Sequence, residues 1–575
     1  MRTSRTPVLL SLVVAGVLSG CAGMPSSGPV VERPDSEEAT TTPGADFDPR
    51  PPQAGQGPTE IVNGFLDAMR ARPIRTTVAK KFLSSTAQEA WTPEQEIITY
   101  EDASDPSGSG QVDLLLTGVN SYDARGAWTG RSASQVVHFA LVSENGEWRI
   151  DDAPDALVVP ETWFGEAYER VTSYRFDAAA EILVPEPVHV PSGEQYATSL
   201  VGGLLPTDQD VPAIARTFFP PDLSLLPVPV DESGVARVDL TGSQAAVDDL
   251  TKQRMLVQLI WTMRQEPRIR AVQLSLNDVE IGDNGGLTPT NLDLGSAYDP
   301  NGAQAVGDLF GLLEGRLVRG SADNLSATTG PFGTADMGLR SYAVNIAGTR
   351  VAGVSGDGRA LLLADVEDPE GRAVQILSGA QRLLAPAWDH RDRMWVADAR
   401  RDGAAIYLVV DSVPTLVEVP GISGERVKDL LVSRDGTRLV ATVAAASGDR
   451  VISARVEHDP TGKVMRAVEP VELDTGVEVG SKIRDIAWRT PTSVMALTWV
   501  NEGLAEIRTV SVDGAPNLLA GDSVTLLGQV SSLVTSPLES VPAYATLPGA
   551  VTDLRLSERV MVLVPEGVRQ LRYAG

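Results

Sequence analysis

Four histidines, His138, His189, His390 and His458, and one cysteine, Cys21, are the imidazole and thiol groups of this 575-residue chain. No two histidines lie at metal-ligand spacing, so the pattern supplies neither a histidine zinc site nor a Ser-His-Asp triad. No Gly-x-Ser-x-Gly elbow, Walker A run or Gly-x-Gly-x-x-Gly after a strand occurs. Two short stretches concentrate charge. "AWDHRD", Ala387 to Asp392, sets charges around Trp388 and reads as a ligand or metal site or, more plainly, as a solvated turn between strands. "DVEDPEGR" offers Asp365, Glu367, Asp368 and Glu370 for calcium, but their spacing matches no calcium loop and an exposed acidic loop accounts for them. A glycoside-hydrolase carboxylate pair cannot be singled out among 76 acids. The residues therefore assign no catalytic, cofactor-binding or metal site, and the expectation is a protein that is not an enzyme.

Cys21 has a different setting. Arg2 and Arg5 precede an apolar run, Pro7 to Leu18, too short to span a bilayer, which takes roughly 20 residues, but suited to a signal-peptide core. Leu18-Ser19-Gly20-Cys21 follows. It resembles the lipobox of bacterial lipoproteins. The resemblance implies a signal peptide over 1–20, cleavage between Gly20 and Cys21, and a diacylglycerol thioether on Cys21. The alternative, a buried core cysteine, has nothing foldable before it. Two or more acyl chains hold a protein firmly to a membrane, at about 0.8 kcal/mol per buried methylene. Residues 21–58 are rich in Pro, Gly, Ser and Thr without apolar periodicity. They read as a tether with a mean span of roughly 35 Å.

The formal charge is −28, and removing Arg2 and Arg5 with the signal peptide takes it to −30. Such a surface repels phosphate backbones and anionic headgroups, which argues against nucleic-acid binding. No second long apolar run occurs, so lipid is the expected membrane attachment.

Three folded regions are expected. In 59–176, Ile61, Val62, Phe65, Leu66 and Met69 recur at helical spacing after Thr59 as N-cap. A second helix holds Val78, Phe82 and Leu83 and ends near Trp91, and alternating strands are joined by the Asn145-Gly146 turn. Helices followed by a sheet ending in "GEWRI" resemble an NTF2-like α+β domain, whose pocket Trp128, Trp148 and Trp163 would line unless they fill the core. In 177–295, "GVARVDLTG", a helix with Val247, Leu250, Val257 and Ile260 on a broad apolar face, and the strand "IRAVQLSLNDVEI" follow one another. This order resembles the small α/β GerMN domain, an interaction or packing module.

Residues 296–575 contain strand–turn–strand units with turns near Gly348, Asp392, Gly436, Pro491 and Pro537, at steps of 44, 44, 55 and 46. A period of this size in all-β units marks a β-propeller, expected here to have five to seven blades. A tandem of β-sandwiches, the alternative, carries no constant period.

Lipobox, tether, NTF2-like region, GerMN-like region and propeller together resemble the LpqB family of lipoproteins from high-GC Gram-positive bacteria. "LSGC", "LVQLIWTMRQEPRI" and "GEWRIDDAPDALVVPETWF" are the most specific stretches. The resemblance implies a lipoprotein on the extracytoplasmic face of the cell membrane, accessory to the MtrA–MtrB two-component system. Its partner would be the extracytoplasmic domain of a sensor histidine kinase, with the cell wall a further contact. It carries lipid attachment onto Cys21 and assigns no catalytic residue. A glycan-acting wall enzyme with acids converging on the propeller axis, or a ligand-binding lipoprotein using the NTF2-like pocket, are the alternatives.

Overall fold

The computed structural model describes residues 47–575 except 243–246, 284–288, 479, 517–522 and 557–559. Gly20, Cys21 and the expected tether as far as residue 46 lie outside the described residues; of its remainder, Phe47 bridges Arg72 and Pro58 begins a helix.

The first region is a bent antiparallel sheet crossed by helices. Its strand order is Glu147–Asp152, Trp128–Glu144, Gln111–Asp123, Glu96–Tyr100, Ala156–Pro160, and only the last pair is parallel. Asn145 and Gly146 take positive φ in the hairpin where the sequence places it. The helix Pro58–Met69 buries Ile61, Val62, Phe65, Leu66 and Met69 against the sheet. Its cap is Gly57, not Thr59: Pro58 begins the helix, and Glu60 Oε2 accepts from the Gly57 amide at 2.8 Å. The second expected helix is two, Thr77–Lys80 and Ser85–Ala90. Phe82 and Leu83 fall in the break because the Phe82 carbonyl and the Ser84 amide bond to Ile150. Ser84 then caps the second helix through Ala87 N.

In the second region Val235–Gly242 pairs in parallel with Ala271–Leu276, and the helix Asp249–Met263 crosses between them. Asp248 caps that helix, its Oδ1 accepting from Thr251 N at 2.7 Å. Leu250, expected on the apolar face, is 50% exposed, and the buried run is Met255 to Met263. Burial all round requires its polar members to be satisfied. Gln258 bonds Phe218 N and Tyr174 O, and Thr262 Oγ1 accepts from Tyr174 N. The expected final strand is a hairpin, Ala271–Leu276 and Val279–Ile281, because Asn277 and Asp278 adopt positive φ. Tyr168–Phe176, at the end of the first region in sequence, pairs with Leu183–Pro191 and places Val171 and Phe176 in the second region's hydrophobic clusters.

Among the described residues, six four-stranded antiparallel sheets follow. Their inner strands are Leu339–Val344, Ala387–Trp388, Val427–Val432, Ile483–Thr490, Ser532–Val534 and the C-terminal Val568–Tyr573. Each inner strand touches its two neighbours, so the contacts close a ring. That arrangement is a propeller and not a tandem of sandwiches. Closure comes from the chain end: Val568–Tyr573 is the inner strand of the sheet that begins with Leu309–Leu313. The turns that set the sequence period all join first and second strands within a blade. Gly436 takes φ +76 there, flanked by Asp435, whose Oδ1 accepts from Ser433 Oγ, Thr437 N and Thr437 Oγ1.

Candidate functional site at the junction of the three regions

The first-to-second-strand turn of the third blade meets the second region through Arg391, and the fourth blade meets it through Arg438, Arg455 and His458; the charges of "AWDHRD" explain the first contact. Asp389 is fully buried; its Oδ1 accepts from Arg391 N, and its Oδ2 pairs with Arg393 Nε at 2.7 Å. Arg393 Nη1 donates to Gly462 O, Arg391 Nη1 donates to Thr461 O, and Arg391 Nη2 pairs with Glu181 of the second region. The stretch is therefore neither a solvated turn nor a metal site but part of an interface. His390 and His458, distant in sequence, come together here. Burial pushes both imidazoles below the ordinary histidine value, His458 to about 4, with the nearby Arg393 guanidinium lowering both further. His458 N donates to Ala213 O across the interface.

Beside this contact lies a cleft of about 530 Å³ lined by all three regions. Two ion networks form its walls. Glu186, on the strand Leu183–Pro191, receives Arg455 through both oxygens and Arg438 at 3.2 Å. Burial pushes the Glu186 carboxyl up, and Arg455 and Arg438 override it, holding it at about 2. Burial correspondingly depresses Arg438 to about 10. Asp210 takes Arg125 at 2.9 Å and Arg175 at 2.7 Å, and Arg125 also grips Asp123 at 2.7 Å. The first network joins the second region to the propeller; the second joins it to the first region. Trp128 leans on Gly514 of the propeller, where an added Cβ would come within 2.9 Å of its ring, and Arg131 pairs with Asp474. The pairs of Glu186 with Arg438 and Arg455, and of Arg131 with Asp474, join residues more than 250 positions apart, a juxtaposition that no local sequence pattern announces.

The other sequence candidates are dispersed. His138 is exposed and bonds Asp113 through Nδ1 at 2.7 Å. His189 is buried beside Tyr122 and Phe164, and burial pushes it to about 4. Glu367 is tied to Thr329 and Asp368 caps Glu370 N; among the described residues no three His, Cys, Asp or Glu group to hold a metal. Trp163 is a core residue donating to Arg70 O, and Trp148 packs at the core's edge. Phe65 packs against Trp91 and Phe139 in the core of the first region, with ring centroids 5.2 and 6.1 Å apart.

Sequence reasoning named no particular residue on the axis of the propeller. Four inner strands open on apolar–basic–polar–apolar: Leu339-Arg340-Ser341-Tyr342, Val427-Lys428-Asp429-Leu430, Ile483-Arg484-Asp485-Ile486 and Val568-Arg569-Gln570-Leu571. In three of them the register shifts at the basic residue, which is left unpaired between Leu339 and Ser341, Val427 and Asp429, and Ile483 and Asp485. Asp429 and Asp485 therefore occupy equivalent places on adjacent strands. Burial, then Asp429, push Asp485 up to about 7, and Asp485 Oδ2 accepts from Leu533 N at 2.7 Å. The repeat was visible at the strand openings; the turns drew the period instead.

Family comparisons agree with this architecture. The model "Lipoprotein LpqB, N-terminal domain" matches residues 51–165, "Sporulation and spore germination" matches 172–282, and "Lipoprotein LpqB beta-propeller domain" matches 315–566. The chain belongs to the LpqB family of lipoproteins. Lipoprotein LpqB of Thermobifida fusca (strain YX) is 24% identical over 94% of each chain. That of Streptomyces avermitilis is 26% identical over 96% of this chain and 95% of its own, and that of Mycobacterium bovis (strain BCG / Pasteur 1173P2) is 28% identical over 95% and 98%. The LpqB-family chain is thus multidomain, with a GerMN domain and a β-propeller. No catalytic family is indicated for it. Among the described residues no helix is long and apolar enough to cross a membrane.

Proposed function

We propose that this chain is held by lipid on Cys21 at the extracytoplasmic face of the cell membrane, after cleavage between Gly20 and Cys21. There it binds and modulates a sensor histidine kinase of a two-component system that controls cell-envelope processes. The observation that carries the reading is the buried junction. It makes three modules one body, so that holding the first module positions the whole propeller. One propeller face is committed to that junction, where Gly348 and Gly436 are buried. On the opposite face Asp357, Asp402, Gly503 and Pro548 are exposed. Val500 and Leu527 stand at that end of the fifth blade, 59% and 83% exposed, an apolar surface of the kind partners cover. Family membership supports the lipid. The sheet under the helix Pro58–Met69 supports reading the first module as NTF2-like; the proposed module limits are 59–176, 177–295 and 296–575, with Tyr168–Phe176 packed onto the second module. A second reading, a wall-glycan enzyme, has Asp429 and Asp485 in its favour as a carboxylate pair on the axis.

Confinement to one membrane raises the effective concentration of a partner, so weak contacts suffice. Crosslinking in intact cells is expected to trap a membrane sensor kinase with the native chain and to lose that product with Cys21→Ala. Equal capture by a Cys21→Ala chain retained in the cytoplasm would overturn the reading.

A further inference from the structure

The propeller face away from the junction carries a stripe that runs from apolar to cationic. Because the first-to-second-strand turns lie at the junction face, the inner strands begin at the opposite one. Arg340 and Arg569 stand at two such beginnings, on inner strands that touch each other. Gln570 Nε2 donates to the Arg340 carbonyl at 2.5 Å, which sets these two beginnings at one level. Arg382, in the link into the third blade, lies beside them: a Cβ added at Gly358 would come within 3.0 Å of Arg340 Nη1 and 3.8 Å of Arg382 Cα. All three arginines are exposed, and among the described residues no guanidinium of the three has a hydrogen-bond or ion-pair partner. Asp357, on the same turn, spends its Oδ1 on Ser355 Oγ and Arg359 N. In the other direction Arg569 lines a cleft of about 460 Å³ together with Ser532, Leu547 and Glu566. Leu547 lies against the fifth blade, its Cδ2 2.9 Å from a Cβ added at Gly528. Next to Gly528 stands Leu527, which with Val500 forms the exposed apolar end of that blade.

Three unpaired arginines side by side are out of keeping with a chain of net charge −28. An exposed guanidinium offers a planar fork of donors that fits a carboxylate. Arginine next to exposed apolar side chains is also the composition that protein interfaces favour. A phosphate polymer would meet the arginines and leave the apolar half of the stripe in water. A peptide segment that carries apolar residues at one end and acids at the other covers both halves. We infer that this face docks such a segment of a protein partner, its apolar residues on Val500, Leu527 and Leu547 and its carboxylates on Arg569, Arg340 and Arg382. The inference rests on the proposed reading of the chain as a binding protein and gives that reading its surface.

The test uses the whole chain carrying Cys21→Ala, titrated by calorimetry with an end-capped peptide of two leucines followed by four glutamates. The same peptide with glutamines for glutamates, and inorganic polyphosphate, are the comparison probes. The glutamate peptide is expected to saturate, to bind at least tenfold more tightly than the glutamine peptide, and to weaken as salt rises. Arg340→Ala, Arg569→Ala and Leu527→Asn are each expected to weaken it several-fold with unchanged melting temperatures. Arg237→Ala, at an exposed arginine of the second region, is expected to bind it like the parent. Absence of saturable binding, glutamine peptide binding as tightly, polyphosphate binding more tightly than the glutamate peptide, or the arginine variants binding like the parent would each overturn the inference. In intact cells, a partner crosslinked equally well to the lipidated chain carrying Arg340→Ala and Arg569→Ala together would overturn this docking surface and leave the partner itself standing.

Discussion

Truncation before Val568 is expected to abolish the cooperative unfolding of the propeller, with a stability loss exceeding about 5 kcal/mol. The eight residues removed supply the inner strand of the first blade and with it the closure of the ring. Leu571 and Tyr573 are buried between the first and last blades, and each contributes about 1.5–3 kcal/mol of apolar burial. Backbone groups at the chain end also answer partners far away. Gln570 O accepts from Tyr342 Oη at 2.8 Å, Ala574 O accepts from Arg434 Nη2 at 2.7 Å, and Gly575 N donates to Val344 O at 2.9 Å. Each lost bond that leaves a buried group unsatisfied costs about 1–3 kcal/mol more. Leu309–Leu313, which carries the buried Phe310, would be left as an open edge, and aggregation is the expected companion. Chemical denaturation followed by circular dichroism measures this directly. A truncated chain that unfolds at the parent's midpoint would mean the ring is not closed by this strand.

Replacing Glu186 by alanine is expected to destabilise the chain by about 3–5 kcal/mol, because Arg438 and Arg455 are left buried without their common counter-ion. The direction of the pH effect follows from the carboxyl, held at about 2 against a usual 4.5. A depressed carboxylate stabilises the fold fully above the unfolded value and loses that contribution as pH falls from about 4.5 toward 2. The parent should therefore weaken across that window more steeply than Glu186→Gln, which carries no proton to gain. Denaturant titrations at pH 7, 4 and 3 separate the two chains. Parallel pH profiles would show that Glu186 does not sit between these arginines.

How much of this was legible in the sequence depends on the distance over which each feature acts. The helix over 58–69, the 111–123 strand and the Asn145-Gly146 hairpin are local patterns of apolar spacing and turn chemistry, and they stand where the residues place them. The break at Phe82 was not legible, because it is made by Ile150, nearly seventy positions away. Leu250 looked like a core residue on its own helix and faces solvent because the buried run begins five residues later. The junction was the least legible part. Glu186 reads as one acid among 76, and only the fold sets it against Arg438 and Arg455. The "AWDHRD" stretch was noticed for its charges, but its use as an interface depends on Glu181, Thr461 and Gly462. The axial aspartates had a readable signal, the repeated basic–polar step at the start of inner strands.

The measurement that bears most directly on the account is the intact mass and N-terminal residue of the native polypeptide isolated from membranes. The account predicts a chain that starts at Cys21 and carries a thioether-linked diacylglycerol. A chain starting at Met1 with a free thiol at residue 21 would contradict it.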